Sequence, residues 1–178
     1  KAIAALSAGQ PARTVKVTDD EKAAFDGLQL LTAKPVLYIC NVDEGSAATG
    51  NAFSSAVAEM AKAEGASSVI ISAAIEAEVA QLPPEEQTEF LASMGLDEPG
   101  LNKVIRAGYS LLGLLTFFTV GPKEARAWTV HQGAKAPQAA GAIHTDFERG
   151  FIRAETIAYD DFVALGGESA CREAGKLR

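Results

Sequence analysis

The sequence predicts an α/β layer built on a parallel sheet, followed by a smaller α+β unit, and three observations carry that expectation. Two short apolar runs rich in β-branched residues, 36–40 and 68–72, each lead into a helical pattern, the strand–helix–strand–helix order of a parallel layer. Beyond residue 112 the texture changes to two strand-like runs joined by Gly121-Pro122, the signature of a hairpin. The excess of acid also ends there: residues 1–112 carry 8 Lys and Arg against 15 Asp and Glu, whereas residues 113–178 carry 8 against 8.

The elements follow in order. Residues 1–8 are helical in pattern, and Gly9-Gln10-Pro11 stops them. Thr18-Asp19-Asp20-Glu21 is a capping-box pattern that opens a helix running to about residue 31. Residues 1–32 therefore read as a helical segment ahead of the layer. The layer itself spans 33–112. Its first strand, 36–40, is a continuous apolar run, as in a strand buried on both faces. Phe53, Ala56, Val57 and Met60 recur at helical spacing over 52–64, and Gly65 is the expected C-terminal cap. The second strand, 68–72, runs into a helix over 74–82. Pro83-Pro84 punctuates, 85–94 reads as helix, and Pro99 suits the first turn of an amphipathic helix through 112. In the last unit, 113–178, strands are expected at 114–120 and 125–130. A helix is expected at 143–150, a strand at 151–158, and a short helix over 159–165 ended by Gly166-Gly167.

Composition narrows the function classes. The longest apolar run, 111–120, is about half the roughly 20 residues a membrane-spanning helix needs, so no membrane span is expected. The opening KAIAALSAGQPA has a superficial likeness to a secretory signal. Its apolar stretch is thin, and it reads as the tail of a helix from a longer chain. Cys40 and Cys171 have neither metal-ligand spacing nor the density of a disulfide scaffold, which points to a reducing cytoplasm. The net charge of −7 argues against a chain coated in nucleic acid. The more balanced last unit is the place for a local basic patch, or simply for a mixed solvated surface.

The residues with chemistry stand at the strand tips. Asn41, Val42, Asp43 and Glu44 directly follow the first strand, and Ser72, Ala73 and Ala74 directly follow the second. In open α/β sheets, ligands bind outside the carboxyl ends of the strands, so two such loops can converge on one flat ligand. An Asn carboxamide donates and accepts at once and can bond a purine edge. The Ser72-Ala73 backbone offers N–H donors beside small side chains that let a ring approach. Taken alone, Asn-x-x-Glu equally fits an Asx-type turn.

The runs KPVLYICNVDE, ISAAIEAEVAQL and FFTVGPKEARAWTVHQGAKAPQAAGAIHTDFERGFIRAE resemble the C-terminal half of the Obg-like (YchF) ATPase family over nearly the whole chain. The resemblance implies that 1–32 end a helical insertion and that 33–112 form the C-terminal part of a P-loop G domain with its parallel sheet. It also implies that 113–178 are a TGS domain, a ubiquitin-like β-grasp, lacking its last strands. On this likeness Asn41, Val42 and Glu44 fall in the fourth G-domain motif and Ser72, Ala73 and Ala74 in the fifth. GTPases carry Asn-Lys-x-Asp at the fourth motif, the Asp accepting from the guanine ring N–H and amine. Here Val42 and Glu44 stand at those two places. A carboxylate held against adenine would face an acceptor and leave buried groups unpaired, a cost of about 1–3 kcal/mol, so the altered motif suits ATP over GTP.

No Gly-x-x-x-x-Gly-Lys-Ser/Thr occurs in the sequence, so the phosphate loop, the Mg²⁺ ligands and the catalytic residues are expected upstream, with the chain inactive by itself. Asp97-Glu98-Pro99-Gly100 matches Asp-x-x-Gly only formally, because it follows the fifth motif and its Pro suits a helix start. His131 and His144 lack partners at ligand spacing, and His144 reads as opening a helix or packing beside Phe147. Trp128 reads as a core or half-buried aromatic rather than a base-stacking platform. Domains of the TGS kind are associated with RNA and ribosome contacts, which makes Lys135, Arg149 and Arg153 candidates for phosphate contacts; the alternative is that they shape and dock the domain. The whole protein is thus expected to be a monomeric, ribosome-associated ATPase requiring ATP with Mg²⁺. The rival is a non-enzymatic RNA-binding module.

Overall fold

The computed structural model describes residues 1–178, which divide into two compact units, Lys1–Gly113 and Leu114–Arg178. The first unit opens with α1 (Ala2–Ser7) and α2 (Asp19–Gly27), with short 3-10 turns at Ala12–Thr14 and Leu31–Ala33. Glu21 Oε2 accepts from Thr18 N at 3.2 Å, the return bond of a capping box. The helix ends at Gly27 and not near residue 31, because Gln29 adopts a left-handed backbone (φ 51°) that breaks the helical path.

β1 (Leu37–Asn41) pairs in parallel with β2 (Ser67–Ile71), and α3 (Ala52–Glu64) makes the crossover. The caps of α3 explain its limits. Asn51 Oδ1 accepts from Ser54 N (3.0 Å) and Ser54 Oγ accepts from Asn51 N (2.8 Å), while Gly65 closes the helix with φ 69°. After β2 come α4 (Ala73–Val79), α5 (Pro84–Ser93) and α6 (Gly100–Leu111). Both α3 and α6 pack on both strands. The core lies beside the strand tips: Ala47, Ile75, Val79, Leu91 and Leu96 are buried together, with Phe90 and Met94 against them. It fixes α4 through Ile75 and Val79, and the loop after β1 through Ala47.

The expected burial of β1 on both faces is not observed. Ile39 remains 49% exposed, because β1 has one hydrogen-bonded neighbour and part of its apolar run is left without cover.

The start of α6 is locked from a distance. Glu76 of α4 accepts from Gly100 N through Oε1 (2.6 Å) and from Leu101 N through Oε2 (3.1 Å), satisfying two of the helix's unbonded N–H groups and placing negative charge at its positive end. The absence of a side chain at position 100 is required: a Cβ there would stand 2.9 Å from Ile71 Cγ2 and 3.0 Å from Glu76 Oε1. Gly100→Ala is therefore expected to destabilise this unit by about 1–2 kcal/mol despite the better helix propensity of Ala. Urea denaturation of both proteins checks it, and equal midpoints would show that the strand tip yields freely.

In the second unit, β3 (Leu114–Val120) and β4 (Ala125–His131) form an antiparallel hairpin closed by Gly121 N donating to Glu124 O at 2.9 Å. Four helices follow: α7 (Ala136–Ile143), α8 (Thr145–Arg149), α9 (Tyr159–Leu165) and α10 (Glu168–Glu173). The single helix expected over 143–150 is instead two, broken at His144, whose extended backbone (φ −160°) lets its Nδ1 accept from Asp146 N at 3.2 Å and cap α8. The expected strand over 151–158 does not form. Only Thr156 pairs, exchanging N–H···O bonds with Arg178 at 2.9 and 3.0 Å, and without a neighbour along its length the segment has nothing to ladder with. Buried Cys171 fastens α10 to α9, its thiol donating to Asp161 O at 3.5 Å. No helix is long and apolar enough to cross a membrane.

Candidate functional site at the strand tips

The parallel register sets Asn41 opposite Ile71, so the two following loops leave the sheet at the same end. Their junction is hydrogen-bonded twice. Val42 N donates to Ile71 O at 2.9 Å, and the Asn41 side chain crosses to the second loop, Oδ1 accepting from Ala73 N at 2.9 Å. Asn41, Ala73 and Ala74 are exposed and Val42 is half-buried. A 3-10 turn, Glu44–Ser46, then carries the first loop to its buried anchor Ala47. The Glu44 carboxylate is exposed and enters no ion pair.

The expectation that the Ala73 N–H is free as a donor is corrected by this geometry. The Ala73 N–H is engaged by Asn41, and the Val42 N–H by Ile71, so neither is open to a ring laid across the tips. What the tips do present is the Asn41 Nδ2 amide as donor, the remaining lone pair on Asn41 Oδ1, and the Val42 carbonyl as acceptor. Ala74 adds an N–H in the first turn of α4, where helical geometry supplies no acceptor.

Ser72 contributes differently from its neighbours. It is 3% exposed, and its Oγ has no hydrogen-bond partner, so it faces the protein and offers a ligand only its backbone. Its carbonyl accepts from Glu76 N at 3.0 Å, starting α4. An unpaired buried hydroxyl costs about 1–3 kcal/mol. Ser72→Ala is accordingly expected to leave the melting temperature unchanged or raise it. A drop of several degrees in a thermal melt would mean that the hydroxyl has a partner.

Alongside the tips lies a cavity of about 280 Å³ lined by Tyr38, Ile39, Cys40, Asn41 and Val42 from the β1 side and by Asn51, Phe53, Ser54 and Val57 from α3. Phe53 is 83% exposed at its rim. At the other end of β1, Tyr38 donates to Glu64 Oε2 at 2.8 Å, and Arg13 reaches the same oxygen at 3.1 Å, tying the N-terminal segment to the sheet. The Tyr38 hydroxyl and Arg13 hold the Glu64 carboxyl below the usual range, and the carboxylate in turn raises the Tyr38 hydroxyl.

In the second unit, Lys135, Arg149 and Arg153 are exposed and form no ion pair. Lys135 stands just before α7, where its N–H donates to Gln138 Oε1 at 2.8 Å. Arg149 ends α8, and Arg153 lies in the extended segment after it. None of the three lines the 430 Å³ cavity formed by Thr129, Val130, His131, Gln132, Gly133, Ala134, Gln138 and Ala142. Trp128 is half-buried, its Nε1 donating to Thr119 Oγ1 at 2.9 Å and its ring covered by the Arg126 guanidinium 4.2 Å from the centroid, so that face is closed to a base. His144 sits 5.8 Å from the Phe147 ring. No three His, Cys, Asp or Glu side chains are grouped to hold a metal ion.

Two residues important to this geometry are absent from the sequence-based expectations. Glu76 caps a helix 24 residues away, and no local pattern marks it. Asn51, which caps α3 and lines the cavity beside Asn41, does carry a signal, since an Asn three residues before Ser54 at the head of an apolar-periodic run is an N-cap pattern.

Residues 114–178 match the family model YchF-GTPase_C, described as a protein of unknown function (DUF933). The chain is 55% identical over 166 residues to the ribosome-binding ATPase YchF of Haemophilus ducreyi, covering 93% of this chain and 46% of that protein. It is 48% identical over 176 residues to the protein of the same name from Bacillus subtilis, covering 98% and 48%. Among solved structures, that of the Schizosaccharomyces pombe YchF GTPase superposes with a TM-score of 0.80 at 35% identity, covering 96% of this chain and 46% of that one. The chain thus spans about half the length of the relatives it matches.

Proposed function

We propose, on the premise that this chain belongs to the Obg-like ATPase (YchF) family and corresponds to the C-terminal half of its members, that the whole protein is a ribosome-associated P-loop nucleotide hydrolase preferring ATP to GTP. This chain supplies its base-recognition loops, through Asn41, Val42, Glu44, Ser72, Ala73 and Ala74, and a TGS domain of β-grasp type from residue 113 onward. The observation that carries the reading is the bond from Ala73 N to Asn41 Oδ1, which draws two loops 32 residues apart to one edge of the sheet.

The chemistry of the tips fits an adenine. Asn41 Nδ2 can donate to a ring nitrogen, and the Val42 carbonyl and Asn41 Oδ1 can accept from the 6-amino group. The Glu44 carboxylate, at the place where a guanine-reading Asp would stand, lies where the 3-10 turn begins and is solvated, so it is not held as the acceptor pair for a guanine N1–H and 2-amino group. The names of the relatives differ on the nucleotide, ATPase for the bacterial proteins and GTPase for the yeast structure, so base choice rests on this geometry. Bound Mg²⁺ would neutralise developing phosphate charge during hydrolysis, with its ligands and the phosphate loop contributed by residues upstream. Ribosome contact, proposed through Lys135, Arg149 and Arg153, sets the work in the cytoplasm, and we assign the protein as a monomer. Calorimetric titration of the full-length protein with ATP and GTP tests the base preference. ATP is expected to bind at least about tenfold tighter, a difference of about 1.4 kcal/mol, and the reverse order would overturn it.

A further inference from the structure

Ala73 has a second role that follows from which atoms can meet. A backbone N–H only donates, so the side-chain atom 2.9 Å from Ala73 N is the Asn41 carboxamide oxygen, and Nδ2 is turned the opposite way. A planar amide held by one atom has its donor and acceptor directions fixed together. An adenine presents N7, an acceptor, beside its 6-amino donor, and a carboxamide matches that pair in one orientation only. In a 6-oxo purine the same position carries an oxygen. It would meet the fixed Asn41 oxygen, and the Ala73 N–H that could otherwise serve it is already engaged, as is the Val42 N–H.

We infer that the Ala73 N–H is a positioning group that holds the Asn41 carboxamide in the orientation suited to a 6-amino purine, setting discrimination at carbon 6 independently of Glu44. The inference rests on the proposed base slot and adds the group that orients its reader.

The local structure allows a clean deletion of that donor. Ala73 is the first residue of α4, a position that accepts proline, and Ser72 already has the extended backbone (φ −119°, ψ 109°) that a residue before proline needs. The test compares ATP with inosine triphosphate, which has a 6-oxo group and, unlike GTP, no 2-amino group. Affinities are measured by calorimetry on the full-length protein and its Ala73→Pro variant. The wild type is expected to favour ATP. Ala73→Pro is expected to narrow the ratio by about fivefold or more, the size of one neutral hydrogen bond, through weaker ATP binding. A folded Ala73→Pro protein with the wild-type ratio would overturn the positioning role while leaving the base slot intact. A wild type that binds neither triphosphate would sink the base slot and this inference with it. Should Ala73→Pro fail to fold, hydrogen exchange decides: the Ala73 amide is expected to exchange about tenfold or more slowly in the wild type than in Asn41→Ala. Equal rates would show that the bond does not hold the amide.

Discussion

Replacing Asn41 with Ala is expected to weaken ATP binding by roughly 1–3 kcal/mol, about 5- to 150-fold, while leaving the fold intact. The magnitude follows from what the change removes. Asn41 Nδ2 is the side-chain donor at the strand tips, and the substitution also strips the partner from the Ala73 N–H. The fold survives because Asn41 is exposed and ends β1: its side chain buries nothing, and water can reach the freed N–H. Stability should therefore move by no more than about 0.5 kcal/mol. Calorimetry on the full-length protein together with a denaturant curve separates the two effects. Unchanged affinity would remove Asn41 from the nucleotide site, and a large loss of stability would make the bond to Ala73 structural first.

Reversing charge at Lys135 and Arg153 together is expected to reduce ribosome binding about 50-fold at 0.1 M salt, with the loss shrinking as salt rises. The size comes from counterion release: two lost phosphate contacts lower the slope of log affinity against log salt by about 2. Both residues are exposed and their side chains form no ion pair, so reversal breaks no internal partner. The contrast with Arg172 is instructive. It lies 2.9 Å from Glu168 and 3.8 Å from Glu155, so much of its charge is spoken for and its reversal should matter less. Co-sedimentation with ribosomes across a salt series is the measurement. Equal pelleting by both proteins at every salt concentration would assign Lys135 and Arg153 to shaping their domain.

Much of the fold is legible in the sequence wherever the cause is local. The strand expected at 36–40 and found at 37–41, the helix at 52–64 and the closing glycine at 65 follow from a β-branched run, the helical spacing of apolar residues and a left-handed residue, each acting within a few positions. The misreadings share a cause as well. The segment 151–158 has the composition of a strand but no neighbour to pair with, and the break at His144 depends on one side chain turning back onto Asp146 N.

The candidate site divides along the same line. That Asn41 and Ser72 each follow a strand is written in the order of residues, and parallel pairing of consecutive strands brings their tips to one edge. Which atoms remain open to a ligand is not written there. The engagement of the Ala73 and Val42 N–H groups, the burial of the Ser72 hydroxyl and the reach of Glu76 to Gly100 each join residues 24 to 32 positions apart or depend on what packs around them. The sequence alone thus determined the strand–helix order of the first unit, the hairpin of the second and the residue types at the tips, because propensity and capping act over a few residues. The tertiary structure alone decided which donors are spent and which way the Asn41 amide faces, because hydrogen bonds between distant residues exist only once the strands are in register.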